Sequence, residues 1–291
     1  LRPAGSRADP RRPAAGHARR HGREVRVSAP AGSAPRATAE PDDAAKFRKY
    51  EESGAYHWNA TYTGGWRRSD PAAHARYDGA LRRLAARVAL AGTVGLDVGC
   101  GDGVMTYKLL RAGARPVGVD LEPEGVALAQ RMLRRAGAPA PVACASAYQL
   151  PFPSASMAWV VSIEVLEHLA DPRAWLAEVD RVLAPGGSVV ITTPRRAPDG
   201  VLRDPYHVHE FEPGELGALL SERFGGVVVE GQYPSRLLRL YKHGVGWRPA
   251  DLAVRLGFKA LAGVGLNPFR ALTARDPGPG WEGLIACGQK R

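Results

Sequence analysis

The sequence predicts an α/β protein built on an open, mostly parallel sheet with helices on both faces. Three observations predict it. From residue 94 onward, short apolar runs alternate with helical apolar patterns, as expected for parallel strands joined by covering helices. The first run, Val94 to Val98, passes directly into the turn Gly99-Cys100-Gly101-Asp102-Gly103, and a helical pattern follows at once. The next run, Pro116 to Asp120, ends on an acid about 20 residues past that turn, where nucleotide-binding sheets place a ribose-holding carboxylate.

Ahead of the sheet, residues 1–45 are rich in Arg, Ala, Pro and Gly and show no apolar period. They read as a disordered basic tail. The tail carries most of the charge: residues 1–50 hold 12 Lys/Arg against 5 Asp/Glu, and residues 51–291 hold 28 against 24. The remainder is near neutral, so no basic nucleic-acid face is expected. Position 1 is not Met and no apolar h-region follows, so an ordinary secretory signal is not expected. An Arg-rich transit peptide or a misplaced start site would each account for the tail; otherwise a cytoplasmic protein is expected. Cys100, Cys144 and Cys287 show no C-x-x-C spacing and read as buried reduced thiols, with neither zinc nor disulfides. No run of 18 apolar residues is present to cross a membrane.

Residues 46–92 form an aromatic cap and a helix. Phe47, Tyr50, Tyr56, Trp58, Tyr62 and Trp66, with His57 among them, make either a lid over a ligand or a cover on the core. Asp70 then caps a helix that Pro71 opens, with Tyr77, Leu81, Leu84 and Val88 on one face. Residues 93–291 form the main domain. Its seven strands are expected at 94–98, 116–120, 141–145, 158–163, 187–193, 226–232 and 283–288. Its helices are expected at 103–112, 123–137, 172–183 and 213–223. A long insertion at about 234–280 precedes the last strand. Within it, 249–261 places Leu252, Leu256 and Ala260 in register, with Arg255 and Lys259 off it. That pattern suits a helix packed on the core, a substrate cap or a membrane-surface patch.

The glycine turn departs from the dinucleotide fingerprint G-x-G-x-x-G, because Val104 stands at its sixth position. Asp97 and Asp102 flank the turn. They would repel a pyrophosphate and favour a ligand with positive charge, such as the sulfonium and ammonium of S-adenosylmethionine.

The segments LDVGCGDG (96–103), VGVD (117–120), LPFPSASM (150–157), EVLEHL (164–169) and LAPGGSVVITTP (183–194) resemble the class I S-adenosylmethionine-dependent methyltransferases, including the type 11 and ubiquinone-pathway groups. The resemblance covers about residues 91–232. It implies a Rossmann-like sheet of seven strands, the last antiparallel. It implies cofactor contacts at Asp97, Gly99, Cys100, Gly101, Gly103, Asp120, Leu121, Ser146, Ala147 and Glu164. Two positions depart from the family pattern. Ser146 stands where an acid is usual, and Met157-Ala158 replaces the usual Phe-Asp.

Glu164, Glu167 and His168 share one face if their segment is helical, and two carboxylates with an imidazole suit a divalent cation. The pairing with a later histidine, His207 in preference to His209, resembles metal-assisted O-methyltransferases acting on ubiquinone precursors or on RNA 3′ ends. A Mg or Zn ion held by Glu164, Glu167, His168 and His207 is therefore one expectation. A metal-free pocket in which these residues tie a loop together is the other. His168 and His207 are the expected catalytic residues, either serving as general base for a hydroxyl. The expected activity is methyl transfer to a hydroxyl, or secondarily an amine, of a small-molecule acceptor. The alternatives are an RNA 2′-O-methyltransferase, a nicotinamide oxidoreductase of Rossmann type, and a binding protein without catalysis.

Overall fold

The structure is a computed structural model and describes residues 49–63, 69–202, 204–270, 273–275, 277–278 and 280–291. The expected disordered tail (1–45), Phe47 and Trp66 lie outside the described residues. The chain begins with two short helical turns, Lys49–Ser53 and Tyr56–Trp58, and a wider turn at Asn59–Thr63. Helix α1 follows at Pro71–Ala85, where the Asp70 carboxylate accepts the Ala72 N–H at 2.9 Å, as its capping position requires.

Strand β1 (Val94–Val98), helix α2 (Val104–Arg111), strand β2 (Arg115–Asp120), helix α3 (Pro123–Arg135) and strand β3 (Val142–Cys144) make the first half. Strand β4 (Met157–Ile163), helix α4 (Pro172–Val182), strand β5 (Leu183–Pro194), helix α5 (Pro213–Ser221) and strand β6 (Phe224–Pro234) make the second. Helix α6 (Ser235–His243), helix α7 (Arg248–Gly263), strand β7 (Thr273–Arg275) and strand β8 (Trp281–Lys290) complete the chain. The sheet has eight strands in the order β3-β2-β1-β4-β5-β8-β6-β7. The eighth is β7, whose three residues are too few to show a period; it pairs antiparallel to β6. The last strand, β8, is antiparallel to both β5 and β6. The first five strands are parallel.

Helices cover both faces. Trp175, Leu176 and Val179 of α4 and Leu216 and Leu220 of α5 pack on one side with Leu96, Val160 and Ile191. Leu84 of α1, Met105 and Leu109 of α2 and Leu133 of α3 pack on the other with Trp159, Val161 and Val190. Strand order reverses between β1 and β4, so the loops leaving these two strands diverge around a crevice.

The insertion departs from its simplest expectation. Helices α6 and α7 share a small core with α1, built from Ala72, Ala75, Tyr233, Leu238, Phe258 and Phe269. The α7 residues that enter it are Phe258 and, in part, Val254. Leu252, on the face the sequence pattern marks as apolar, is 58% exposed. The cysteine expectation also needs one correction, because Cys144 is exposed while Cys100 and Cys287 are buried.

Candidate cofactor and acceptor site

β1 delivers the chain into the glycine turn at the crevice. The N–H groups of Gly99 and Cys100 both donate to the Val119 carbonyl, at 2.7 and 3.0 Å, which ties the turn to β2. Gly99 and Gly101 have φ of +71° and +51°, where a Cβ is strained. A Cβ on Gly99 would strike the Val165 side chain, and one on Gly101 would strike the Tyr50 hydroxyl. The turn is therefore roofed by the chain's own residues.

A cavity of about 550 Å³ opens beside it, within the range of about 300–1,000 Å³ usual for small-molecule sites. Gly99, Asp120, Leu121, Ser146, Ala147 and Glu164 line it, with His168 and His207. Asp97, Cys100, Gly101 and Gly103 do not line it. Gly103 faces Ala129 of α3, Gly101 is covered by Tyr50, and Cys100 and Asp97 are buried beneath. Tyr50 of the aromatic segment also lines it, as do Glu122 and Tyr206, which sequence reasoning did not single out.

The acids are unusually desolvated. Asp97 accepts the Thr106 hydroxyl at 2.6 Å through Oδ2, but its Oδ1 has no hydrogen-bond partner among the described residues. Burial pushes its pKa up to about 7 against the opposing Thr106 bonds. Asp120 accepts the Gly101 N–H at 2.7 Å and the Glu122 N–H at 3.0 Å. Its pKa is raised by burial, with those two bonds resisting. Among the described residues, neither carboxylate oxygen of Glu122 finds a hydrogen-bond partner; burial, then Asp120 and Glu51, raise its pKa to about 7. Asp102 does not face the cavity. Its Oδ2 accepts the Trp58 N–H at 2.7 Å, so this acid fastens the N-terminal aromatic segment and is not aimed at a ligand. The Tyr50 hydroxyl lies 3.2 Å from His57 Nδ1, and burial lowers the His57 pKa to about 3, leaving a neutral ring.

The EVLEH segment is not the continuous helical turn that i, i+3, i+4 spacing assumes. Glu164 follows β4 with φ +55°, and only Leu166–His168 turn, as a 3₁₀ segment. Glu164 is consequently separated from the others. Its Oε1 accepts Thr192 Oγ1 at 3.0 Å and its Oε2 lies 3.5 Å from Arg76 of α1. Glu167, His168 and His207 do converge: one ligand atom from each lies within 4.8 Å of the others. Glu167 is buried, accepts Thr193 Oγ1 at 2.9 Å through Oε2 and leaves Oε1 unpartnered among the described residues. Burial, then Glu164, hold its pKa well above the usual range.

The histidine orientations are fixed from behind. His168 Nδ1 lies 2.9 Å from the Tyr206 carbonyl. A carbonyl only accepts, so Nδ1 carries the proton and Nε2 is the acceptor nitrogen. His207 Nδ1 lies 2.7 Å from Glu210 Oε1, which sets the same tautomer. The two rings are 5.0 Å apart, edge to face. Burial lowers the His168 pKa, while the Tyr206 carbonyl opposes that. His209 is drawn away to Glu215 at 2.6 Å and Arg196 at 2.9 Å. Lys49 bridges to Asp204 at 2.8 Å, so the N-terminal segment also reaches the 195–212 loop.

Residues 96–191 match the model of a methyltransferase domain family. The chain is 33% identical over 150 residues to a probable S-adenosylmethionine-dependent methyltransferase of Mycolicibacterium smegmatis, covering 50% of this chain and 56% of that one. It is 34% identical over 118 residues to the ubiquinone biosynthesis O-methyltransferase of Methylococcus capsulatus, covering 40% and 50%. The chain thus spans about half the length of these curated relatives. Among solved structures, phosphoethanolamine N-methyltransferase 2 of Haemonchus contortus with S-adenosyl-L-methionine shares the fold. Its TM-score is 0.58 at 19% identity, over 88% of this chain and 61% of that one. The cyclase SpnF does so with a TM-score of 0.51 at 21% identity, over 73% and 81%. The matched stretch is the same one that builds the glycine turn, the acid at the end of β2 and the EVLEH segment, so the likeness to a methyltransferase domain rests on the residues that line the crevice.

Proposed function

We propose that the chain binds S-adenosylmethionine in this cavity and methylates a hydroxyl of a small-molecule acceptor. The observation that carries the proposal is that one cavity is lined both by Gly99, Asp120 and Ser146 and by His168 and His207. The residues fit the cofactor. Asp97 keeps an unpartnered oxygen under the turn among the described residues, suited to a cationic group. Asp120 is held by two backbone N–H groups and retains acceptor capacity for ribose hydroxyls. Ser146 and Ala147 stand at the adenine position by family resemblance. When bound, the cofactor supplies a methyl carbon activated by a sulfonium.

The chain's own part is to exclude water, to align the acceptor and to take its proton. His168 and His207 each present Nε2 as the accepting nitrogen. The name of the Methylococcus relative supports an oxygen acceptor; the name of the Haemonchus neighbour leaves an amine as the competing class. Calorimetric titration with S-adenosylhomocysteine and with NADH tests the cofactor. Release of S-adenosylhomocysteine over a panel of hydroxyl and amine acceptors tests the reaction. Binding of NADH alone, or turnover of amines alone, would sink the proposal.

A divalent cation is a second reading, favoured by the convergence of Glu167, His168 and His207 and by the carboxylate behind His207, as in metal sites whose histidines are oriented from outside the ligand set. Glu164 is absent from that convergence. Titration with Mn²⁺ and Zn²⁺, followed by activity before and after chelation, decides it. No heat and no change in rate would dismiss the cation.

A further inference from the structure

Eleven large apolar side chains are exposed among the described residues, and six of them fall between positions 245 and 266: Val245, Trp247, Leu252, Leu261, Val264 and Leu266. They lie along α7 and at its two ends. Val254 and Phe258 face inward, where Phe258 stacks on Phe269 with ring centroids 5.4 Å apart. At 100° per residue, the opposite side of α7 presents Pro249, Leu252, Ala253, Leu256, Ala260 and Val264. Arg248, Arg255 and Lys259 form a single stripe along one border of that side. The helix therefore has two apolar faces, and only one is covered. At 16 residues it is about 24 Å long.

Charge identifies what the open face suits. Residues 235–270 carry seven Lys/Arg and one acid, while the rest of 51–291 carries 21 Lys/Arg against 23 Asp/Glu. The net positive charge of the body is thus concentrated in this insertion, around its exposed apolar face. Two copies meeting through such faces would repel. An anionic lipid surface attracts the basic stripe and receives the apolar side chains between its headgroups. No helix among the described residues is long and apolar enough to cross a membrane, which fits a helix that lies in the interface. We propose that α7 and its flanking turns dock this protein on anionic phospholipid membranes, with Trp247, Leu252 and Val264 inserted and Arg248, Arg255 and Lys259 at headgroup level. The proposal is independent of the acceptor and of methyl transfer.

The test is co-sedimentation of the full chain with vesicles of phosphatidylcholine alone and with about one-third phosphatidylglycerol. Binding is expected only to the anionic vesicles. It should weaken at least tenfold between 0.1 M and 1 M salt, as the screening length falls from about 10 to about 3 Å. Leu252→Gln/Val264→Gln and, separately, Arg248→Gln/Arg255→Gln/Lys259→Gln should each weaken it at least tenfold. Circular dichroism and S-adenosylhomocysteine affinity should be unchanged in both. Four results would each overturn the proposal: no binding to anionic vesicles, equal binding to neutral ones, binding that both variants retain, or self-association through this face with no vesicle binding. Retention by both variants would assign lipid binding to the basic residues 1–48.

Discussion

Asp97→Asn separates the energetic role of the buried acid from the ligand-holding role proposed for it. Burial raises the Asp97 pKa from 3.8 to about 7. A carboxyl whose folded pKa is raised contributes most to stability below its unfolded pKa. That contribution is lost as pH rises through the folded one. A tenfold difference in proton affinity between the folded and unfolded chain is worth about 1.4 kcal/mol. The ligand-free wild type should therefore lose about 2 kcal/mol through Asp97 between acid and pH 5.5, and about 4 kcal/mol by pH 8. Asparagine is uncharged, and its Oδ1 can still accept the Thr106 hydroxyl. Asp102 and Glu122 titrate alike in both proteins and cancel in the comparison. Urea unfolding at pH 5.5 and pH 8 should show Asp97→Asn more stable than wild type, with the larger gain at pH 8. The same variant should bind S-adenosylmethionine at least tenfold more weakly at pH 8, because a charge-assisted bond to the cofactor is lost. A stability difference that ignores pH would refute the burial argument. Undiminished cofactor binding would refute the assignment of the acid to the ligand.

Three further perturbations follow from the geometry. Gly101→Ala puts a Cβ into the Tyr50 hydroxyl at φ +51°; the backbone strain alone is about 1 kcal/mol, so thermal unfolding should fall by about 2–4 °C or more, and an unchanged Tm would mean that Tyr50 does not roof the turn. Arg76→Met leaves Glu164 without its cation, a loss of about 1–2 kcal/mol for a partly buried pair, between the exposed and fully buried cases; urea denaturation should show Arg76→Met/Glu164→Gln recovering most of it, and additive losses would deny the coupling. His207→Ala should cut turnover about 100-fold or more if the ring takes the acceptor's proton, with S-adenosylhomocysteine affinity nearly intact; lost affinity at an unchanged maximal rate would move His207 to the cofactor side.

Much of the site was legible because its chemistry is local. The glycine turn and Asp120 are marked by short-range spacing at strand ends, and six of the ten proposed cofactor positions line the cavity. What stayed hidden depends on segments distant in sequence. Arg76 sits between Ala72 and Ala80 at i, i+4 spacing, on a buried stripe of small residues; a charge in such a stripe is a signal, but its partner Glu164 could not be named from it. Asp102 reads as a ligand-facing acid until the Trp58 N–H takes it. Glu164 left the expected face because its positive φ ends the strand before the turn begins. On α7, both faces are apolar, and periodicity alone does not say which one packs.

The Trp58–Asp102 and Lys49–Asp204 contacts and the Tyr50 roof bear on where this domain starts. The family match opens at residue 96, inside β1, yet the glycine turn is finished by chain that precedes it. A version trimmed to start at Pro71 would keep the whole sheet and still be a different protein. It would present a bare Gly101, a buried Asp102 stripped of the Trp58 N–H and a 195–212 loop released from Lys49. The sheet needs helix α1, whose Ala80 and Leu84 are buried in its core, and the chain that closes over the glycine turn begins no later than Lys49, so the unit to carry over, fuse or swap is longer than the matched stretch.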